Sequence, residues 1–303
     1  MKKGLFIFCL LLSISCQSWS KEIVDSTGTA EDDSVALEKK WRQIDSTISS
    51  MEYDSGQVVL EKNLATIKVP RGFGYLKAAD AQFILEKVWN NPIDVDVLGM
   101  LLPLNTDFYS SDSWAIIYTY AEDGHVNDDD AADIKYDELL EQMQKDVLEG
   151  NAERKEDGYP PMELIGWAKS PFYDKTNHKL HWAKELKFGD DSSHTLNYNI
   201  RMLGRKGVLV MNVIAGIEQL KLVEQNMPVI LASTNFINGQ RYEDFDEGLD
   251  KVAEYGIGGL IAGGILLKTG LLAKIGIFLL KGWKLITLGV VSLFAFLRKK
   301  FMK

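Results

Sequence analysis

Apolar residues recur along this chain at two rhythms, and each rhythm marks a kind of element. Leu37, Trp41, Ile44, Ile48 and Met51 follow spacings of 4, 3, 4 and 3, which place one stripe along a helix. The stripe covers only two heptads, so it indicates core packing rather than a coiled coil. Gln57–Leu60 and Leu64–Val69, joined by Glu61-Lys62-Asn63, predict a hairpin that ends at Pro70. Helices are predicted over Ala78–Trp89 and Ile134–Leu148, the second with Leu139, Leu140, Met143 and Val147 on its apolar side. Trp114–Tyr120 reads as a strand. Beyond Pro160-Pro161 the period shifts to two, and Met162–Ala168, Lys179–Phe188, Thr195–Leu203 and Gly207–Ile214 read as strands, with Gly204-Arg205-Lys206-Gly207 turning between the last two. A helix over Ile217–Leu231 follows. Strand runs joined by short turns, with helices between groups, predict an α+β class: a largely antiparallel sheet with flanking helices. No repeat or clean break divides it, so one domain is expected over residues 34–252, preceded by a polar linker over 21–33.

Both ends depart from this pattern. Lys2 and Lys3 precede the apolar stretch Leu5–Ile14, whose ten residues would span only about half of a ~30 Å hydrocarbon core at about 1.5 Å each. Ser18-Trp19-Ser20 then offers small residues before Lys21, as a signal-peptidase site requires. Residues 1–20 are therefore expected to be an export signal cleaved after Ser20. Acylation of Cys16 and an uncleaved anchor are the alternatives. At the other end, residues 257–297 are apolar and glycine-rich, and 253–303 are expected to form a C-terminal transmembrane helix or helices in the lipid bilayer, with a basic cytoplasmic tail. Lys274 and Lys281 also permit an interfacial amphipathic helix. Gly259 and Gly263 have the small-xxx-small spacing through which two helices approach closely, and self-association is one reading of it; a flexible apolar hinge is the other.

Charge sharpens the division. Residues 255–303 carry eight basic groups and no acids, whereas residues 21–254 carry 24 basic against 43 acidic groups. An acidic domain of that kind is repelled by phosphate backbones, so no nucleic-acid partner is expected. The only cysteines, Cys9 and Cys16, lie in the export segment, which leaves a mature chain without thiolate chemistry or Cys-ligated zinc. The predicted location is the bacterial inner membrane, with the domain facing the periplasm or exterior.

Several stretches carry a combined signal: Gly99-Met100-Leu101-Leu102-Pro103, Gly124-His125-Val126-Asn127-Asp128-Asp129-Asp130-Ala131, Gly158-Tyr159-Pro160, Gly166-Trp167-Ala168, Leu196-Asn197-Tyr198-Asn199-Ile200-Arg201, Leu203-Gly204-Arg205-Lys206-Gly207-Val208-Leu209 and Ala253-Glu254-Tyr255-Gly256. Together they resemble a bacterial family of predicted membrane-anchored proteins of unknown function. The resemblance implies export and a C-terminal anchor. It implies no catalytic residues and no cofactor. The closing strand and helix also resemble, in arrangement alone, small α/β domains of the PsbP type.

Candidate chemistry is sparse. Asp128, Asp129, Asp130 and Asp133 offer oxygen ligands of the kind calcium takes, although the spacing is not an EF-hand; the plainer alternative places them at the positive end of the helix from 134. His178 and His181, with His194 nearby, invite a zinc site, but strand positions three apart face opposite sides. Asn197, Asn199 and Arg201 share one strand face, and with Arg205 they are suited to grip a carboxylate or phosphate; ion pairing with neighbouring acids is the alternative. Trp167, Trp182 and Tyr198 are expected in the core. The leading expectation is a noncatalytic binding domain with an envelope partner, and the runner-up is a hydrolase using Asp128 or Asp130 as general acid and base.

Overall fold

A computed structural model describes residues 30–262 apart from 90, 92–95, 111 and 191, with side chains from residue 38 onward. The expected export segment, residues 21–29 of the linker, Gly263 and the rest of the anchor lie outside the described residues. Among the described residues, no helix is long and apolar enough to cross a membrane.

The architecture is α+β. Among the described residues, ten strands form two antiparallel sheets: β1 Gln57–Val59, β2 Ala65–Lys68, β3 Phe73–Lys77, β4 Val97–Pro103, β5 Ala115–Ala121, β6 Met162–Asp174, β7 Lys179–Phe188, β8 Thr195–Leu203, β9 Val208–Gly216 and β10 Thr234–Phe236. The larger sheet runs in the order β3-β4-β5-β9-β8-β7-β6, and the smaller in the order β1-β2-β10. Five α-helices accompany them among the described residues: α1 Ala30–Ser49, α2 Ala78–Phe83, α3 Tyr136–Glu156, α4 Leu220–Ser233 and α5 Ile257–Ala262. A wider π turn, Ile84–Val88, prolongs α2.

Alternation in the central strands builds two opposed cores. One face of the large sheet presents Leu196, Tyr198, Ile200, Leu209, Met211 and Val213, and α4 and the small sheet cover it through Val223, Met227, Ile230, Ile67 and Phe236. The opposite face is covered twice. Leu180, Trp182, Leu203, Val208 and Val210 pack beneath α3 and α5, while Leu76, Met100, Leu102, Ile117 and Ile214 pack beneath α2 and its π turn. Strands buried on both faces lose the alternation that betrays them, which is why β3 and β4 were not expected. β10 was not expected either.

The edges of several elements move for physical reasons. Helix α1 takes residues 30–33 from the expected linker. Helix α3 begins later than expected and runs eight residues further. Beyond Leu148 its tail is held by polar ties rather than apolar contact: Asn151 exchanges two hydrogen bonds with the Met162 backbone (2.7 and 2.9 Å), and Arg154 Nε donates to Pro160 O (3.0 Å). Strand β6 extends to Asp174, with register shifts between Leu164 and Phe172 around its outer edge.

Residues past 252 pack into the core as well. Ile257, Leu260, Ile261 and Ala262 are buried within the core beneath α3. The first residues of the expected anchor therefore belong to the folded body. Gly259 lies within this docked turn, where a Cβ would come 2.6 Å from Tyr255 Cβ. Its lack of a side chain serves packing inside this chain.

Candidate functional site

The two cores on the helix-covered side of the large sheet do not merge. Between them runs a polar band set by strand register. Asn199 pairs with Asn212 on one side and with Trp182 on the other; Arg201 pairs with Val210 and Leu180; Asn197 pairs with Ile214 and Lys184. Asn197, Asn199 and Asn212 are all buried. Polar side chains at such positions need partners, and they find them in one another. Asn199 Nδ2 donates to Asn197 Oδ1 (2.8 Å) and Asn197 O (2.9 Å). Arg201 Nη1 donates to Asn212 Oδ1 (2.9 Å) and Ile200 O (3.0 Å), and Nη2 to Asn199 Oδ1 (3.3 Å). The guanidinium also lies over the Trp182 ring, 5.1 Å from its centroid.

The sequence placed Asn197, Asn199 and Arg201 on one face, and the structure brings them together. It adds Asn212, whose signal was a lone amide inside the apolar run 208–215. Arg205 is elsewhere. Its Nε donates to Asp250 Oδ2 (2.6 Å), and Lys206 approaches the same carboxylate at 3.5 Å. Ion pairing, the plainer alternative, thus describes Arg205, and that hydrogen bond holds the Asp250 carboxyl below its ordinary range. Arg201 forms no ion pair with a carboxylate among the described residues. Burial lowers its pKa to about 10, which leaves it charged at neutral pH.

The four aspartates disperse. Asp130 caps α5: Ile257 N donates to Oδ1 (2.9 Å) and Gly258 N to Oδ2 (3.0 Å). The helix expected to begin at 134 starts instead at Tyr136 without a side-chain cap, and Asp129–Ala132 form a separate 3-10 turn ending at Asp133. Asp128 accepts a 2.7 Å hydrogen bond from Tyr173. Among the described residues, no three His, Cys, Asp or Glu side chains converge in a way that would hold a metal ion. The histidines part company too. His178 meets Tyr173, His181 meets Tyr198 Oη at 2.9 Å, and His194 meets Glu185 at 2.5 Å. Trp182 and Tyr198 are fully buried as expected, whereas Trp167 is partly exposed at the core's margin.

A second cluster, not expected from sequence, lies where residues 125–128, 173–178 and 242–245 meet. Phe245, His125, Tyr242 and His178 follow one another in ring contact, with centroid separations of 4.0, 4.3 and 3.9 Å. Tyr173 bridges Asp128 and His178, and burial, reinforced by the Asp128 carboxylate, raises its phenol well above the ordinary range. His125 is buried, and that burial lowers its pKa below 6.5. A histidine held neutral in this way stabilises the fold fully above pH 6.5, and the contribution disappears as pH falls through the depressed folded value. The thermal midpoint should therefore drop on acidification below pH 6.5, and His125→Phe should flatten that slope. His181, lowered also by burial, acts in the same direction. An unchanged slope in the variant would count against this assignment.

Fold and site together define an α+β domain with a polar seam through its interior. The chain belongs to the family described as "Protein of unknown function (DUF2167)", which it matches over residues 52–293. No curated protein matches the chain. Among solved structures, it is similar to cyanobacterial PsbP (CyanoP) from Synechocystis sp. PCC 6803, with 10% identity and a TM-score of 0.36, covering 60% of this chain and 91% of that one. It is also similar to the Ran-binding protein Mog1p of Saccharomyces cerevisiae, with 12% identity and a TM-score of 0.35, covering 65% and 100%. Likeness at that level carries no argument about activity.

Proposed function

We propose that this protein is a noncatalytic binding domain exported across the bacterial inner membrane and tethered to it by its C-terminal apolar segment. The observation that carries the tether is the position of α5. Residues 257–297 are apolar, and this run begins in a helix that Asp130 caps and the domain core buries. The segment thus starts from the folded body with no polar linker between them. The basic cluster Arg298-Lys299-Lys300 that follows favours a cytoplasmic end, which leaves the acidic domain outside. The noncatalytic reading is supported by the carboxylates themselves. Asp128 is engaged by Tyr173 and Asp130 by α5, so the pair a hydrolase would need is divided between two structural duties. An envelope protein or envelope component is the proposed partner.

Alkaline carbonate extraction of membranes and a reporter fused after residue 150 test this reading. The protein should stay in the membrane fraction, and the reporter should be active only outside the cytoplasm. Release by carbonate would leave an interfacial attachment, and a reporter active only inside the cell would overturn the orientation.

A further inference from the structure

The polar band has a feature that its internal hydrogen bonds do not explain. Arg201 is a cation set among buried asparagines, and an uncompensated charge in such a place is costly. Its neighbours supply amide and backbone carbonyl oxygens, which are dipoles rather than counter-charges. Tyr255, whose phenol burial keeps neutral, donates its hydroxyl to Asp123 at 2.5 Å.

The hydrogen-bond inventory leaves donors for a partner of opposite charge. A guanidinium has five N–H donors. The three hydrogen bonds described above engage Nη1 twice and Nη2 once, so the Nε–H and one Nη2–H remain without an acceptor among the described residues. An Nε–H and an Nη2–H together can present a side-on pair to two oxygens of a single carboxylate or phosphate group. Two further polar atoms on the same sheet face, Trp182 Nε1 and Thr119 Oγ1 on β5, are buried without a hydrogen-bond partner. Buried donors of this kind are rare where no ligand or water is intended. Arg201 itself keeps partial exposure, so it can be reached.

We propose that the band formed by Asn197, Asn199, Arg201 and Asn212 is a binding site for a small anionic oxygen group, a carboxylate or phosphate, held side-on by Arg201. This deepens the reading of the chain as a binding domain and names its ligand class. The asparagines act as positioning residues, because Asn199 and Asn212 fix the plane of the guanidinium through their carbonyl oxygens.

The test uses the detergent-solubilised full chain, followed by thermal unfolding in inorganic phosphate, in acetate and in short-chain phosphatidylglycerol, each against chloride or phosphatidylcholine at equal ionic strength. At least one of the three anions should raise the midpoint, and ligand at a hundredfold excess over Kd corresponds to about 2.7 kcal/mol of added stability. A response to phosphate or acetate identifies a soluble ligand, and a response to phosphatidylglycerol alone identifies a lipid headgroup. Arg201→Met should abolish the response, whatever its stability without ligand, because the guanidinium donors are gone. Arg201→Lys should retain only part of the response. The proposal is overturned if no anion shifts the midpoint or if Arg201→Met responds as wild type does. Each outcome is independent of whether the tether crosses the bilayer.

Discussion

Gly99→Val should cost about 3–5 kcal/mol, a large part of the ~5–15 kcal/mol that keeps a domain folded. Gly99 has a φ of +155° in β4, where the strand shifts register against β5. A Cβ there would stand 2.1 Å from Tyr75 Oη and 2.6 Å from the carbonyl oxygen of Leu76. Tyr75 cannot easily yield, because its hydroxyl donates to Leu98 O at 2.7 Å and its ring is buried in the core. Backbone strain at about 1–3 kcal/mol adds to overpacking of similar size. Urea unfolding of the solubilised chain measures the difference. Gly150→Ala in α3 is the control with opposite sign: a Cβ there meets nothing within 4 Å, and relief of glycine entropy should stabilise by about 0.5–1 kcal/mol. Equal midpoints for the two variants would show that Gly99 is not the constraint described.

Ending the chain at Val252 rather than Ala262 should be nearly as damaging. Ile257, Leu260 and Ile261 are buried beneath α3, and full burial of such a side chain contributes about 1.5–3 kcal/mol. Losing all three, with Ala262, should cost roughly 5 kcal/mol even after discounting residual collapse. It would also uncover Val126, Leu139 and Val210, which share that core. Fragments 38–252 and 38–262 compared by urea unfolding and by binding of a hydrophobic dye decide the matter. Equal stability and equal dye binding would show that α5 only rests on the surface.

The same segment shows where sequence reading succeeded and where it stopped. β7 and β8 are legible to the residue because each has one face apolar and turn residues at both ends. α5 is not, because Ile257–Ala262 has the composition of a lipid-facing run, and nothing local distinguishes burial in protein from burial in bilayer. β4 escaped notice for a related reason: Val97–Pro103 is apolar on both faces and carries a glycine in its middle. For the candidate site, the two-residue period put Asn197, Asn199 and Arg201 on one face, but the contribution of Asn212 depends on the β8–β9 register. The aspartates mislead because local sequence suggests a cap for the following helix. Asp130 instead caps a helix 127 residues further on, through contacts that only the assembled fold creates.

Strand β6 has one further consequence. It forms one edge of the large sheet, thirteen residues long, with Ile165 and Phe172 exposed along it. A straight edge of that length would template the addition of strands from other copies and so seed fibres. Its repeated register shifts, together with Pro171, interrupt the row of outward N–H groups. The irregularity acts as a guard against aggregation, keeping neighbouring molecules from zipping into one another at high local density.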